Sequence, residues 1–310
     1  MTILVTGATG FLGKRVCVRL KARGIRCVPT SLSLGTDLRD LGQSVALFAK
    51  VRPAVVLNCA SFVGGIQFGL KYPADIFNNN MRMIANLFEA AHRAGVQRIV
   101  NPISNCVYPR NKALFKETEI WDGALDETVM VYGLLRKISW AGAWSYAKQH
   151  GQETINLVLS NMYGPDDHFE EERSHALGAL IMKFSEAKVG NKPQVVVWGT
   201  GRPVREWLYV DDGAEAMIRG MDCKATMDFV NVGVAEGITV RDLALRIKDK
   251  VGYAGELVFD TSKQDGAPYK TVDGTYGREL LGWSPEVRLN EGLENTISWY
   301  RQRRERNGRN

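Results

Sequence analysis

One short segment near the amino terminus limits this chain's fold more than any other: Gly7-Ala8-Thr9-Gly10-Phe11-Leu12-Gly13. It follows an apolar run at 3–6 and opens a segment, 11–23, in which Phe11, Leu12, Val16 and Leu20 recur at helical spacing. Glycines at this spacing between a strand and a helix let backbone approach a pyrophosphate and let the helix pack closely on the strand. The helix start then offers free N–H groups and a partial positive charge to the anion. Glycine-rich turns are common, so the pattern alone is weak. Its position between strand and helix makes it a dinucleotide site. Gly7, Thr9, Gly10, Phe11, Leu12 and Gly13 are its expected contacts.

The same alternation continues downstream. The spacing predicts a strand at 25–28, a helix at 41–51 ended by Pro53, and a strand at 54–58. A helix at 73–94 stopped by Gly95, a strand at 98–104, a helix at 132–150 and a buried strand at 155–160 follow. This order predicts an α/β fold: a Rossmann-type, doubly wound parallel sheet with right-handed crossovers. Beyond about Asn161 the pattern loosens, which implies a smaller C-terminal α/β lobe at the carboxyl edge of the sheet. Residues 1–160 are expected to hold the cofactor. Residues 161–310 should mainly bind substrate, with some segments returning to the first domain.

Cofactor details follow from the strand ends. Asp37 and Leu38 suit adenine contacts, and Cys59 and Ala60 end the third strand where a dinucleotide would pass. The second strand runs into Arg26-Cys27-Val28-Pro29-Thr30-Ser31 without the acidic residue that holds an adenosine ribose as a diol. Thr30 and Ser31 can donate to a 2′-phosphate, and Lys14 and Arg15 are near in sequence. NADP(H) is therefore expected over NAD(H), which stays possible.

Charge and cysteine content narrow the partners. The net charge of +6 raises the question of nucleic acid, but part of it sits in the arginine-rich stretch 301–310, and no nucleic-acid motif accompanies it. Such a run is more often a solvated helix end, so no nucleic-acid partner is expected. The five cysteines, Cys17, Cys27, Cys59, Cys106 and Cys223, are scattered, with no CxxC pair. That argues against a disulfide framework or a zinc site and for a reducing compartment. The N-terminal residues lack a basic, cleavable leader, and no apolar run reaches bilayer length. A cytoplasmic protein without a membrane partner is expected, with no metal.

Chemistry points to two residues first. Ser104 ends the fourth strand and Tyr132 begins a helix 28 residues later. Such groups face the cleft at the carboxyl edge of a parallel sheet, where a phenol beside a cation can protonate an alkoxide formed by hydride transfer. Most buried tyrosines merely satisfy a hydrogen bond. Here the order of phosphate loop, strand-end serine, and tyrosine with a cation four residues on favours catalysis.

Several further segments give a family resemblance: Val63-Gly64-Gly65-Ile66, Tyr72-Pro73-Ala74-Asp75, Ser104-Asn105-Cys106-Val107-Tyr108-Pro109, Asn161-Met162-Tyr163-Gly164-Pro165, Ser174-His175, Val197-Trp198-Gly199-Thr200-Gly201, Arg205-Glu206-Trp207 and Asp265-Gly266-Ala267-Pro268-Tyr269-Lys270. Along nearly its whole length the chain resembles the GDP-L-fucose synthase family of extended short-chain dehydrogenases. The resemblance implies C3/C5 epimerisation and NADPH-dependent C4 reduction of an NDP-4-keto(-6-deoxy) hexose, with GDP the expected nucleotide. It assigns the epimerisation base to Cys106 and the acid to His175, with Ser104 and Tyr132 holding the carbonyl oxygen. A thiol and an imidazole both titrate near enough to neutrality for proton exchange. The bland alternatives are a small apolar filler for Cys106 and a surface histidine beside Glu170-Glu171-Glu172 for His175. For the sugar nucleotide the resemblance points to Asn161, Lys183, Arg205 and Lys270. Trp198 suits either stacking on a base or the core. A homodimer through the helices at 73–94 and 132–150 is also implied.

The chain departs from the family at one telling place. The family pattern is tyrosine, three residues, lysine; here Arg136 occupies the lysine position and Lys137 follows. One residue turns a helical side chain by about 100°, so Arg136 is expected to be the functional cation near the phenol and Lys137 to face elsewhere. Arginine cannot serve as a proton relay. Tyr269 also replaces a basic residue of the pattern. Two other readings remain at this point: a nucleotide-sugar epimerase or dehydrogenase with tightly bound NAD(H) and no net reduction, or a non-catalytic cofactor-sensing protein.

Overall fold

The interior strands of the main sheet are buried and largely apolar on both faces, so each must be covered twice. The computed structural model describes residues 1–170, 173–263 and 265–307. In it, β1 (Ile3–Thr6), β2 (Cys27–Pro29), β3 (Val55–Asn58), β4 (Arg98–Ser104), β5 (Glu153–Leu159) and, after three strands of the second lobe, β9 (Phe229–Val232) form one sheet. Its order is β2-β1-β3-β4-β5-β9 and every pairing is parallel. Alternate residues serve opposite layers: Ile3 and Val5 pack with α1 (Phe11–Ala22) and α7 (Val210–Arg219), whereas Leu4 packs with α2 (Leu41–Val51), α4 (Pro73–Arg93) and α5 (Met130–His150). This is the expected doubly wound architecture.

The second lobe has its own core. Strand β8 (Val204–Tyr209) pairs with β6 (Asn161–Tyr163), β10 (Gly237–Thr239) and β12 (Tyr269–Lys270), while β7 (Gln194–Trp198) pairs with β11 (Glu256–Asp260). Helices α6 (Ala176–Val189), α8 (Val240–Val251) and α10 (Leu289–Asn307) enclose Phe184, Leu243, Ile247 and Leu293. Residues 308–310 of the basic stretch, with Glu171 and Glu172 of the acidic one, lie outside the described residues.

Three boundaries differ from the periodicity by two residues, each for a physical reason. The second strand is Cys27–Pro29 rather than 25–28, a short edge strand paired only with β1. The fifth starts two residues early because it pairs with β4 along its full length, Arg98↔Glu153 to Ser104↔Leu159. Helix α5 begins at Met130 because a 3-10 turn, Glu127–Val129, feeds it; Asp126 caps that turn by accepting the Thr128 N–H. Tyr132 thus lies in the first turn.

The switch in strand order falls between β1 and β3, where open α/β sheets bind ligands. Gly7 sits there at φ +59, and a Cβ on it would lie 2.5 Å from the Cys59 carbonyl oxygen, so only glycine fits.

Candidate active site

The phosphate loop meets the requirements of a dinucleotide. Gly10 is extended before α1, no side chain caps the helix, and its first turn carries no acidic residue. Its N–H groups therefore face the cleft at a partially positive helix end. Thr6 fastens the neighbouring strand: its hydroxyl accepts the Cys59 and Ala60 N–H groups at 3.1 and 3.3 Å. Phe11 and Leu12 lie in the first turn of α1, with Leu12 buried. Asp37 is held by Arg39, whose hydrogen bonds keep its carboxyl below the usual range. Leu38 is buried, and its carbonyl accepts from Asn86 at 3.0 Å.

The adenosine end differs from the sequence reading in its residues. Lys14 is engaged by Asp166 at 2.5 Å, and Arg15 makes a bidentate pair with Asp211, both bonds 2.7 Å. Thr30 is buried at 2% exposure. Arg15 is thus held by both arms of its fork and Thr30 is enclosed, while Lys14 keeps half of its side chain exposed. What remains at the end of β2 is a triangle of hydroxyls: Thr9 to Ser31 at 3.0 Å, Thr9 to Ser33 at 2.8 Å and Ser31 to Ser33 at 3.0 Å. Ser33 was not legible as a site residue; only its place two residues beyond Ser31 could have signalled it.

The residues expected to exchange protons gather around one lysine. Strand β4 ends at Ser104, whose Oγ accepts the Cys106 N–H at 3.3 Å and fixes the turn carrying the thiol. The Lys270 ammonium lies 3.6 Å from Cys106 Sγ. Lys270 is 9% exposed and stands in register beside Arg205 across the β12–β8 pair. Buried Glu206 ties this pair down by accepting the Val272 N–H at 2.8 Å and the Val234 N–H. Burial lowers the pKa of Arg205, partly offset by Asp126, Cys106 and Asp265.

His175 completes this group. It keeps an exposed face on the cleft, yet surrounding protein and then the Lys270 ammonium push its pKa down to about 4. The open face moderates the fall, since water there still solvates charge; the direction is downward. The free imidazole is therefore neutral at pH 7. It can serve as an acid only after gaining a proton, which a negatively charged ligand beside Lys270 would favour. Gly65, in the loop after β3, anchors this segment by donating its N–H to Arg173 O at 2.9 Å.

Helix α5 joins the two halves of the site. A Cβ on Gly133 would come within 2.4 Å of Cys106 O, so the turn bearing Tyr132 lies directly on the thiol's loop. The phenol oxygen sits 3.2 Å from Ser61 Oγ, a residue the sequence reading missed. Arg136 lies over the Tyr132 ring, 4.6 Å from its centroid, and donates to Ser61 Oγ at 2.7 Å and Asn80 Oδ1 at 3.3 Å. Lys137 points away, donating to Ile120 O at 2.6 Å. Asn80 carried a readable signal: it interrupts the apolar stripe of Ile76, Ile84 and Leu87 on α4 and is 1% exposed.

The remaining candidates are less convergent. Asn161 donates to Glu206 O at 3.0 Å. Trp198 is 43% exposed, so it is not a core residue. Lys183 lies over its ring at 5.2 Å and donates to Val196 O at 3.2 Å.

The model of the NAD dependent epimerase/dehydratase family matches residues 3–233. The chain is 37% identical to probable GDP-L-fucose synthase 1 of Oryza sativa subsp. japonica, over 96% of this chain and 91% of that one. It is 36% identical to GDP-L-fucose synthase of Escherichia coli strain K12, over 98% of each. A crystal structure of a GDP-L-fucose synthetase from Naegleria fowleri bound to NADP superposes with a TM-score of 0.88 at 28% identity, covering 98% of this chain and 93% of that one.

Proposed function

Since the chain belongs to the NAD dependent epimerase/dehydratase family, and within it to the GDP-L-fucose synthase relatives, we propose that it inverts C3 and C5 of a GDP-linked 4-keto-6-deoxy hexose and then reduces C4 with NADPH. The observation that carries this reading is the thiol of Cys106 facing the Lys270 ammonium at 3.6 Å, with His175 close enough to feel the same lysine's charge. A 4-keto group acidifies the C–H bonds at C3 and C5. Cys106 takes the proton from the carbon and His175 returns one from the opposite ring face. His175 gains its proton as the diphosphate arrives, because that negative charge offsets the burial and the Lys270 ammonium that otherwise disfavour imidazolium.

Ser104 and Tyr132 hold the carbonyl oxygen while charge builds on it. NADPH, when bound along Gly7–Gly13, supplies the hydride for C4, and Tyr132 gives its proton to the resulting oxygen. Arg205 and Lys270, adjacent across two strands, and Lys183 with Trp198 farther along the lobe, bind the diphosphate and base; Asn161 orients the sugar. Residues 1–160 act as the cofactor domain and 161–310 mainly as the substrate lobe, with β9 returned to the main sheet.

The reading extends to assembly and place. Helices α4 and α5 pack together and turn Phe77, Leu134, Ile138 and Trp144 outward, exposed by 38–52%. Two such faces would form a four-helix bundle in a homodimer. Among the described residues no helix is long and apolar enough to cross a membrane, and all five cysteines are free thiols, which suits the cytoplasm.

Incubation with GDP-4-keto-6-deoxy-mannose and NADPH in deuterated water tests the function. NADPH oxidation with deuterium at C3 and C5 is expected, and the absence of both would remove the reading. Cys106→Ser should suppress the exchange while a pre-epimerised 4-keto substrate is still reduced.

A further inference from the structure

Tyr132 has a cation beside it, but no hydrogen bond joins the two directly. The guanidinium of Arg136 lies on the ring face, and the bonds it makes go to Ser61 Oγ and Asn80 Oδ1. Ser61 in turn is 3.2 Å from the phenol oxygen. Resting on the function proposed above, we propose that Ser61 is a positioning residue of the reductive step: it carries the charge of Arg136 to the Tyr132 oxygen.

The hydrogen-bond inventory supports this. Ser61 has one hydroxyl proton and two acceptors for it at the same distance, Asn80 Oδ1 at 3.2 Å and the Tyr132 oxygen at 3.2 Å. Asn80 Oδ1 does not depend on that proton, because it also receives the Phe62 N–H at 3.1 Å and Arg136 at 3.3 Å. The Asn80 amide nitrogen is fixed by Phe62 O and Ile76 O, both at 2.8 Å. The Ser61 hydroxyl can therefore turn from Asn80 to the phenol oxygen without leaving a buried group unpaired.

That turn matters at one moment. When hydride reaches C4, the Tyr132 O–H bond breaks and its proton forms the new O–H bond on the sugar oxygen. The phenol oxygen is left with a full negative charge. Ser61, its oxygen already held by a charged donor, then donates to that oxygen as a charge-assisted bond. The proton on Tyr132 is later restored from solvent, to which Ser61 is exposed. Arg136 itself is 3% exposed and, among the described residues, has no carboxylate partner, and its Nε has no hydrogen-bond partner. A buried cation so placed is compensated by an anion forming beside it. Arginine in the lysine position thus keeps the charge, and a serine 75 residues earlier in the chain delivers it.

Single-turnover NADPH oxidation with Ser61→Ala and Ser61→Thr tests the proposal. Loss of a hydrogen bond to a charged group is worth about 1.5–3 kcal/mol, so Ser61→Ala should slow hydride transfer about 10- to 100-fold. NADPH affinity, read by fluorescence titration, should change less than about twofold, and deuterium exchange at C3 and C5 should fall far less than reduction. Ser61→Thr, which keeps the hydroxyl, should recover most of the rate. Adding Ser61→Ala to Arg136→Gln should cost less than about threefold more. Full speed in Ser61→Ala, equal loss in both Ser61 variants, or additive loss with Arg136→Gln would overturn the proposal. Wild-type protein inactive in both exchange and reduction would instead overturn the function it rests on.

Discussion

Replacing Asn101 with alanine removes the centre of a polar chain that crosses the main sheet. Thr6 Oγ1 donates to Asn58 Oδ1 at 2.7 Å, and Asn58 Nδ2 donates to Asn101 Oδ1 at 3.0 Å. Asn101 Nδ2 then donates to Asn156 Oδ1 and Ser139 Oγ, each at 3.0 Å. All of these residues are buried, Asn101 completely. The chain runs from the floor of the phosphate loop to α5, two turns beyond Tyr132. Alanine leaves the Asn58 amide and the Asn156 carbonyl without partners, at about 1–3 kcal/mol each. The vacated space is about that of one water, roughly 30 Å³, which restores part of the loss. A net destabilisation of about 3 kcal/mol is expected, a large share of the roughly 5–15 kcal/mol that holds a typical protein folded. Leucine has the branching and heavy-atom count of asparagine but is bulkier and cannot hydrogen-bond; it excludes the water, so Asn101→Leu should be less stable than Asn101→Ala although it buries more apolar surface. Urea denaturation followed by tryptophan fluorescence measures both. A loss below about 1 kcal/mol for alanine, or leucine ranking above alanine, would refute the reasoning.

Three other outcomes follow from the same geometry. Burial lifts the Asp167 carboxyl from 3.8 to about 7, so the folded state holds that proton more tightly than the unfolded chain. Stability from this group therefore falls as pH rises from about 4 to about 7, and Asp167→Asn should gain up to about 4 kcal/mol at pH 8 and nothing at pH 4; an equal change at both pH values in urea melts would contradict it. Ser33→Asp sets a carboxylate at the exposed corner of the Thr9–Ser31–Ser33 triangle, so NADPH should bind at least about tenfold more weakly while NADH changes less than about threefold, as read by fluorescence titration. Parallel losses for both cofactors would remove the triangle from the 2′ position. Leu134→Glu should halve the mass seen by light scattering if the α4–α5 face joins two copies, and an unchanged mass would exclude that face.

The fold was readable in the sequence because its signals are local. A run such as Ile3-Leu4-Val5, buried on both faces, can only be an interior strand, and a glycine turn directly after it fixes which sheet edge holds the ligand. Ser104 is legible for the same reason, as the end of a strand, whereas Cys106 is picked out only by the family resemblance. The electrostatics are not legible, because a charge does not announce its partner. Lys14 and Arg15 look free beside the phosphate loop, yet each has a carboxylate partner that arrives from 152 or 196 residues away.

Arg136 shows the same principle with the opposite outcome. In the sequence it is a defect in a tyrosine–lysine pattern, since the helix places it correctly but gives it the wrong chemistry. The guanidinium sits over the ring, 4.6 Å from its centroid, and the hydrogen bonds it makes go to Ser61 and Asn80. A hydroxyl is small enough to stand between the guanidinium and the phenol oxygen, and the loop after β3 supplies one in Ser61, which follows Ala60. The arginine and the serine are then one device rather than two substitutions. Restoring lysine at 136 alone should leave Ser61 without its strong donor, so the change back toward the family pattern is expected to lower the rate of reduction in this chain, and a single-turnover assay in which Arg136→Lys equals or exceeds the wild type would dissolve the pairing.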